Sequence, residues 1–197
     1  SPLNFTHLPA DRLAPALGAA GIGRDSRVVV YSSTTPMWAT RLWWMLRAAG
    51  FESVAVLDGG LAAGTAEGRP TESGTRRYPP ATLALSDRPG AWAGKAEVLA
   101  AIGDGGVCTI NALPPGVHSG DSGANYGRRG HIAGSVNVPY AGLLDDTGRY
   151  RPDTDLRDLF EAVGALGRPR VICYCGGGIS ATMDALALVR LGHPAVA

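Results

Sequence analysis

A strand, loop, helix and strand occur in this order twice in the chain, about 142 residues apart, and no other feature limits the fold as much. Val28-Val29-Val30-Tyr31 is a β-branched run that opens into a polar loop, and a helical pattern follows over 38–49. Gly50 stops that helix, and Val54-Ala55-Val56-Leu57 resumes as a strand before Asp58-Gly59-Gly60. In the second copy, Val171-Ile172-Cys173-Tyr174 is the strand, glycines form the loop, and a helical pattern covers 181–191. Gly192 stops it, and Ala195-Val196-Ala197 begins another strand. Ala39 to Gly50 and Ala181 to Gly192 have the same spacing, and helical patterns at 13–20 and 156–164 also correspond. This rhythm belongs to parallel βαβ units. The expected class is α/β, with two tandem related domains, each a mostly parallel sheet flanked by helices.

Residues 64–90 are rich in Gly, Pro, Thr, Ser and Arg without periodicity, which is linker composition. The expected division is a first domain over 1–65, a linker over 66–90 and a second domain over 91–197. The second domain opens with a helix over 91–102 and the strand Val107-Cys108-Thr109-Ile110. A glycine-rich loop follows over 114–129, then the short strand Val136-Asn137-Val138. About forty residues, 107–146, precede the part of the second copy that aligns with Ser1 onward, and the first copy continues past the position aligned with Ala197. The repeat therefore predicts a fragment, with the first sheet one strand short and the last strand of the second cut off.

The formal net charge of +1 gives no global attraction to nucleic acid or to an anionic membrane, so anion recognition has to be local. The most apolar helical stretch, 38–46, is interrupted by Arg41 and is too short to span a bilayer. Three cysteines in a chain this long make no disulfide framework, and free thiols fit the cytoplasm.

The chemistry concentrates in Cys173-Tyr174-Cys175-Gly176-Gly177-Gly178-Ile179-Ser180-Ala181. This segment sets a cysteine at a strand end, glycines in the turn and a helix directly after. Glycines let the backbone curl with its N–H groups inward, and the helix N-terminus adds partial positive charge. Such a cradle holds an anion and favours a thiolate, the form that attacks sulfur, phosphorus or carbon. The alternative is a structural cysteine beside an ordinary tight turn.

The segment from Cys175 to Ala181 resembles the active loop Cys-x-x-Gly-x-[Ser/Thr]-Ala of rhodaneses and 3-mercaptopyruvate sulfurtransferases. Upstream, Gly130-His131-Ile132-Ala133-Gly134-Ser135-Val136-Asn137-Val138-Pro139 is similar to a second motif of that family. Arg41-Leu42-Trp43-Trp44 and the run from Val54 to Leu61 are similar to the segment after its inactive-domain loop. The resemblance implies a sulfurtransferase with Cys175 as persulfide carrier, and Gly176, Gly177, Gly178, Ile179, Ser180 and Ala181 as the substrate-binding cradle. It further implies a small anionic sulfur donor, thiosulfate or 3-mercaptopyruvate, and a thiol or cyanide acceptor, without metal or organic cofactor. The first copy, with Ser32 in the nucleophile's place, is expected to be inactive scaffold.

Three departures from the family bear on the donor. Asn111-Ala112-Leu113 replaces an Asp-x-Arg, and Val117 stands where a substrate-binding arginine is expected. The residues after the nucleophile are Gly176 and Gly177, where relatives carry a basic residue or a serine. Arg128 and Arg129 are candidates to replace the lost charge, and surface arginines are the competing account. The same departures admit a catalytically silent binding module.

Other readings fail on residue type. A cysteine phosphatase needs an arginine six positions after the nucleophile, where Ala181 stands. Cys173 and Cys175 share a strand face, but no His or Cys cluster supplies further ligands at zinc-like spacing. Gly176 to Gly178 lack the spacing and acidic partner of a dinucleotide site. Cys108 is expected in the core, His131 in a turn, and Trp38, Trp43 and Trp44 on a buried helix face.

Overall fold

The computed structural model describes residues 5–124 and 127–197. In the first copy, α1 (Ala10–Ala19), β1 (Val28–Val30), α2 (Met37–Ala48), β2 (Val54–Val56) and α3 (Gly60–Ala66) follow one another. β1 and β2 pair in parallel, Val28 opposite Val54 and Val30 opposite Val56. The second copy contains α4 (Lys95–Ala101), β3 (Val107–Asn111), α5 (Pro115–Ser119), β4 (Val136–Asn137), α6 (Asp153–Ala162), β5 (Arg170–Tyr174) and α7 (Ala181–Arg190). Its parallel sheet has the order β4-β3-β5, and Val196 bridges in parallel to Val171 on the far side of β5. Hydrogen bonds from Val171 N–H to the Ala195 carbonyl and from Cys173 N–H to that of Ala197 fix this pairing. β5 thus has neighbours on both sides.

The repeat extends to the helix ends. Gly50 (φ 82°) and Gly192 (φ 84°) both take the left-handed conformation that closes a helix. In each copy the following N–H reaches back five residues, Phe51 to the Leu46 carbonyl at 2.8 Å and His193 to that of Leu188 at 2.9 Å. α2 and α7 pack against each other and meet at equivalent residues: the Thr40 and Thr182 hydroxyls lie 2.8 Å apart, buried.

Two main cores flank this contact. Ile110, Leu143, Leu156, Phe160, Met183 and Leu188 form that of the second copy. Trp43, Trp44, Leu46 and Phe51 build the other with Ala185, on α7, so that core draws on both copies. Fully burying each large side chain contributes roughly 1.5–3 kcal/mol. Trp38 corrects the expectation of a single tryptophan face, for it is 48% exposed and lies against Phe5. Its offsets of five and six residues from Trp43 and Trp44 turn it about 140° and about 240° away on a 3.6-residue helix.

The segment between the copies is not a free tether. α3 occupies its first residues, and beyond it the chain runs without helix or strand but is tied to the first copy. Ala81 N–H donates to the Gly18 carbonyl and Ser86 N–H to that of Ala49, while Leu83 and Leu85 pack on the core. α5 likewise lies inside the stretch expected to be pure loop. No helix among the described residues is long and apolar enough to cross a membrane.

Candidate active site

β5 ends at Tyr174, and Cys175 is the first residue beyond it, at the carboxyl edge of the parallel sheet where α/β folds place their ligands. The turn from Gly176 to Ser180 leads into α7. Thr182 N–H donates to the Ile179 carbonyl and Met183 N–H to that of Ser180, which tightens the helix entrance. Among the described residues, no acceptor takes the amides of Gly176, Gly177, Gly178, Ile179 or Ser180. These amides at the entrance of α7 are thus unbonded among the described residues. Gly178 needs its missing side chain: its φ is +69°, and a Cβ there would lie 3.0 Å from an Arg41 guanidinium nitrogen.

Cys175 lines three cavities, of which two are large. One, about 950 Å³, is lined by Phe5, His7, Met37, Arg41, Trp92 and the loop itself. The other, about 710 Å³, is lined by Arg128, Arg129, His131, Asn111 and Tyr174. Val117 and Leu113 border both. The structure thus brings Arg128 and Arg129 to the same cavity as Cys175, and Arg129 also donates to the Gly120 carbonyl. His131 Nδ1 lies 2.7 Å from the His118 carbonyl, and its ring stacks on that of His118. Burial, and then the nearby His131, lower the pKa of His118. The Tyr174 hydroxyl accepts from Ile132 N–H at 3.0 Å and meets Ser135 Oγ at 2.8 Å, fastening the Gly-His-Ile segment beside the loop.

Burial disfavours the thiolate form of the other two cysteines. Burial pushes the Cys108 thiol up. Cys173 is pushed well up, by burial first and then by Asp184 and its neighbouring cysteines. No cluster of three or more His, Cys, Asp or Glu able to hold a metal occurs among the described residues.

Two residues that sequence reasoning left out of the site belong beside it. Arg41, 9% exposed, reaches from α2 to the loop and donates to the Gly178 carbonyl at 2.8 Å and the Phe5 carbonyl at 2.9 Å. Its guanidinium carbon stands 5.0 Å over the Trp92 ring. Burial lowers its pKa from the ordinary arginine value, and the Cys175 sulfur opposes that shift. Asp184 on α7 is fully buried, and neither carboxyl oxygen meets a donor among the described residues. Burial, reinforced by Cys175, holds its pKa well above the usual carboxylate range, so the neutral acid is favoured. Each is a charged residue set among apolar neighbours in the first turns of its helix, well before the arginine near the helix end (Arg47 in α2, Arg190 in α7), which was the available signal in the sequence.

The rhodanese-like domain family matches residues 2–67 and 117–197, which takes in both strand–loop–helix units. The chain belongs to that family. The rhodanese-like chain is 35% identical over 179 residues to a putative thiosulfate sulfurtransferase SseB of Mycobacterium tuberculosis, covering 89% of this chain and 62% of that one. To the 3-mercaptopyruvate sulfurtransferase of Escherichia coli it is 31% identical, over all of this chain and 70% of the relative. The crystal structure of SseA from E. coli, a 3-mercaptopyruvate sulfotransferase with the rhodanese fold, superimposes with a TM-score of 0.84 at 30% identity, over 100% of this chain and 73% of that one. The rhodanese-like chain thus spans somewhat under two thirds of the mycobacterial relative and somewhat more of the E. coli enzyme.

Proposed function

We propose that the chain is a sulfurtransferase in which Cys175 carries the sulfur, the second copy (91–197) is catalytic, and the first (1–65) is scaffold and one wall of the cleft. The observation that carries this reading is the position of Cys175, at a helix N-terminus, beside amides without acceptors among the described residues and on the wall of two large cavities. Relatives named thiosulfate and 3-mercaptopyruvate sulfurtransferases support it.

In the first step the Cys175 thiolate attacks the outer sulfur of the donor. A bond forms between the two sulfurs, and the bond from the transferred sulfur to the rest of the donor breaks. Thiosulfate leaves as sulfite; 3-mercaptopyruvate leaves as pyruvate, its thiol proton ending on the new methyl group. In the second step cyanide or an acceptor thiolate attacks the outer sulfur of the persulfide, giving thiocyanate or a new persulfide and restoring the thiolate. Amides 176–181 hold the negative charge in both steps without rearranging. Arg128 and Arg129 give the donor's anionic group a partner on the side where Val117 offers none. The free cysteines fit a reducing compartment, the cytoplasm.

A second reading, a catalytically silent binding module, is favoured by Asn111, whose side-chain oxygen is already committed to Leu113 N–H at 2.9 Å, and by Val117. Incubation with thiosulfate or 3-mercaptopyruvate followed by mass spectrometry separates the two. A sulfurtransferase gains one sulfur, mapped to Cys175 and released by cyanide. Cys175→Ser abolishes the gain, and Cys108→Ser leaves most of it. A wild-type chain that takes up no sulfur from either donor is a binding module.

A further inference from the structure

We propose that Arg41 is the positioning residue of the Cys175 loop: delivered by the first copy's helix, it fixes the loop backbone in its anion-binding shape and presents the positive charge that faces the sulfur. This rests on the reading of Cys175 as the nucleophile. The guanidinium spans two carbonyls, Gly178 at 2.8 Å and Phe5 at 2.9 Å, with the Trp92 ring beneath it. A Gly178 carbonyl committed to Arg41 cannot turn its negative end towards the sulfur. The amides around it are left for the anion.

The charge balance points the same way. No carboxylate pairs with Arg41 among the described residues, although it is nine-tenths buried. A buried cation without a counter-ion is costly, and guanidinium does not shed its proton near neutral pH. Asp184, whose carboxyl oxygens meet no donor among the described residues, forms no ion pair with Arg41 and does not supply the counter-charge. A thiolate or persulfide at Cys175 does.

The repeat supplies an internal control. At the offset of 142 that brings Thr40 onto Thr182, Arg41 corresponds to Met183, which is fully buried in apolar core. The helix that faces the cysteine loop thus carries an arginine, and its counterpart in the copy that contains the cysteine carries a methionine. Charge and nucleophile lie in opposite copies, so the site is complete only when both are present.

The test is the pH profile of Cys175 alkylation by iodoacetamide, mapped by mass spectrometry without donor or acceptor. Groups facing Cys175 are Arg41 from α2, Cys173 from β5 and Asp184 from α7. His7 lines the larger cavity, and Arg128, Arg129 and His131 line the smaller. Arg41→Met, which installs the residue of the other copy, is expected to move the half-maximal pH up by about one unit. Arg41→Lys, which keeps the charge and loses the two-pronged hold, is expected to move it by less than half as much. Gly178→Ala, whose Cβ displaces the guanidinium without removing it, shifts the profile in the same direction and carries the test should Arg41→Met not fold. Profiles superimposable on wild type in folded Arg41→Met, or in both Arg41→Lys and Gly178→Ala, overturn the proposal. Failure of the wild type to form a persulfide would instead count against sulfur transfer and leave this profile as readable as before.

Discussion

The loop after β1 and the loop after β5 begin from the same plan and end in opposite chemistry. Both leave a parallel strand and enter a helix that closes on a left-handed glycine. The first is filled in. Ser32 Oγ accepts from Thr34 N–H at 3.2 Å, Leu61 N–H at the start of α3 bonds the Ser32 carbonyl, and the remaining cavity is only about 90 Å³. None of the described residues lining it is charged. In the second loop no amide from Gly176 to Ser180 has an acceptor among the described residues, the cavities beside it are several times larger, and a buried arginine lies against it. A shared backbone plan therefore does not make a site; the nucleophile, the space and the opposing charge have to coincide.

The sharpest way to break this comparison is to move the nucleophile. A chain carrying both Ser32→Cys and Cys175→Ser should take up sulfur from thiosulfate at least about a hundredfold more slowly than wild type, since a thiol without activating charge is a weak nucleophile. Mass spectrometry of the tryptic peptide around position 32 reads this directly. Uptake near the wild-type rate would mean that a cysteine alone suffices and that the surroundings of Cys175 are incidental.

A smaller effect separates Leu42 from Asp184, which occupy equivalent positions on α2 and α7. Leu42 is 37% exposed and Asp184 fully buried. An unfolded aspartate titrates near about 3.9, and the fold raises that value. Between the two values the folded chain binds the extra proton, so stability falls as pH rises through this window and levels off above the folded value. Asp184→Asn should flatten this part of the pH dependence and raise stability at neutral pH by about 1–3 kcal/mol, measured by urea denaturation across pH. An unaltered pH dependence would show that Asp184 has a partner in solution.

The smallest effect concerns what the copies share. Thr40→Val and Thr182→Val should each cost about 1 kcal/mol in urea denaturation, and the double variant should cost less than their sum because the hydroxyls serve each other. Strict additivity would mean that the Thr40–Thr182 contact carries no coupling.

The repeat makes the shared framework legible in the sequence. β1, β5, α2, α7 and both stopping glycines follow from β-branched runs, helical periodicity and the requirement for positive φ. The Cys175 loop was equally readable, because its glycines and strand-end cysteine are contiguous. α3 and α5 were not, being short, rich in Gly or Pro, and stabilised by what they cover instead of by their own propensity. Arg41 escaped because its meaning is tertiary: its partners lie 36 and 137 residues away. In the sequence it argues against a membrane span and contributes to the family resemblance, and neither use places it at the Cys175 loop.

The contact between Thr40 and Thr182 has one more consequence. Two equivalent side chains touching each other is what a two-fold axis produces, so the halves of this chain associate as the subunits of a symmetric dimer would, joined here into one polypeptide. Across such an axis every contact made by one half is repeated by the other, and the interface by itself favours neither side. Fusion removes that constraint, because positions 41 and 183 are specified separately. Arginine at one and methionine at the other let a symmetric scaffold support a single, one-sided reaction centre.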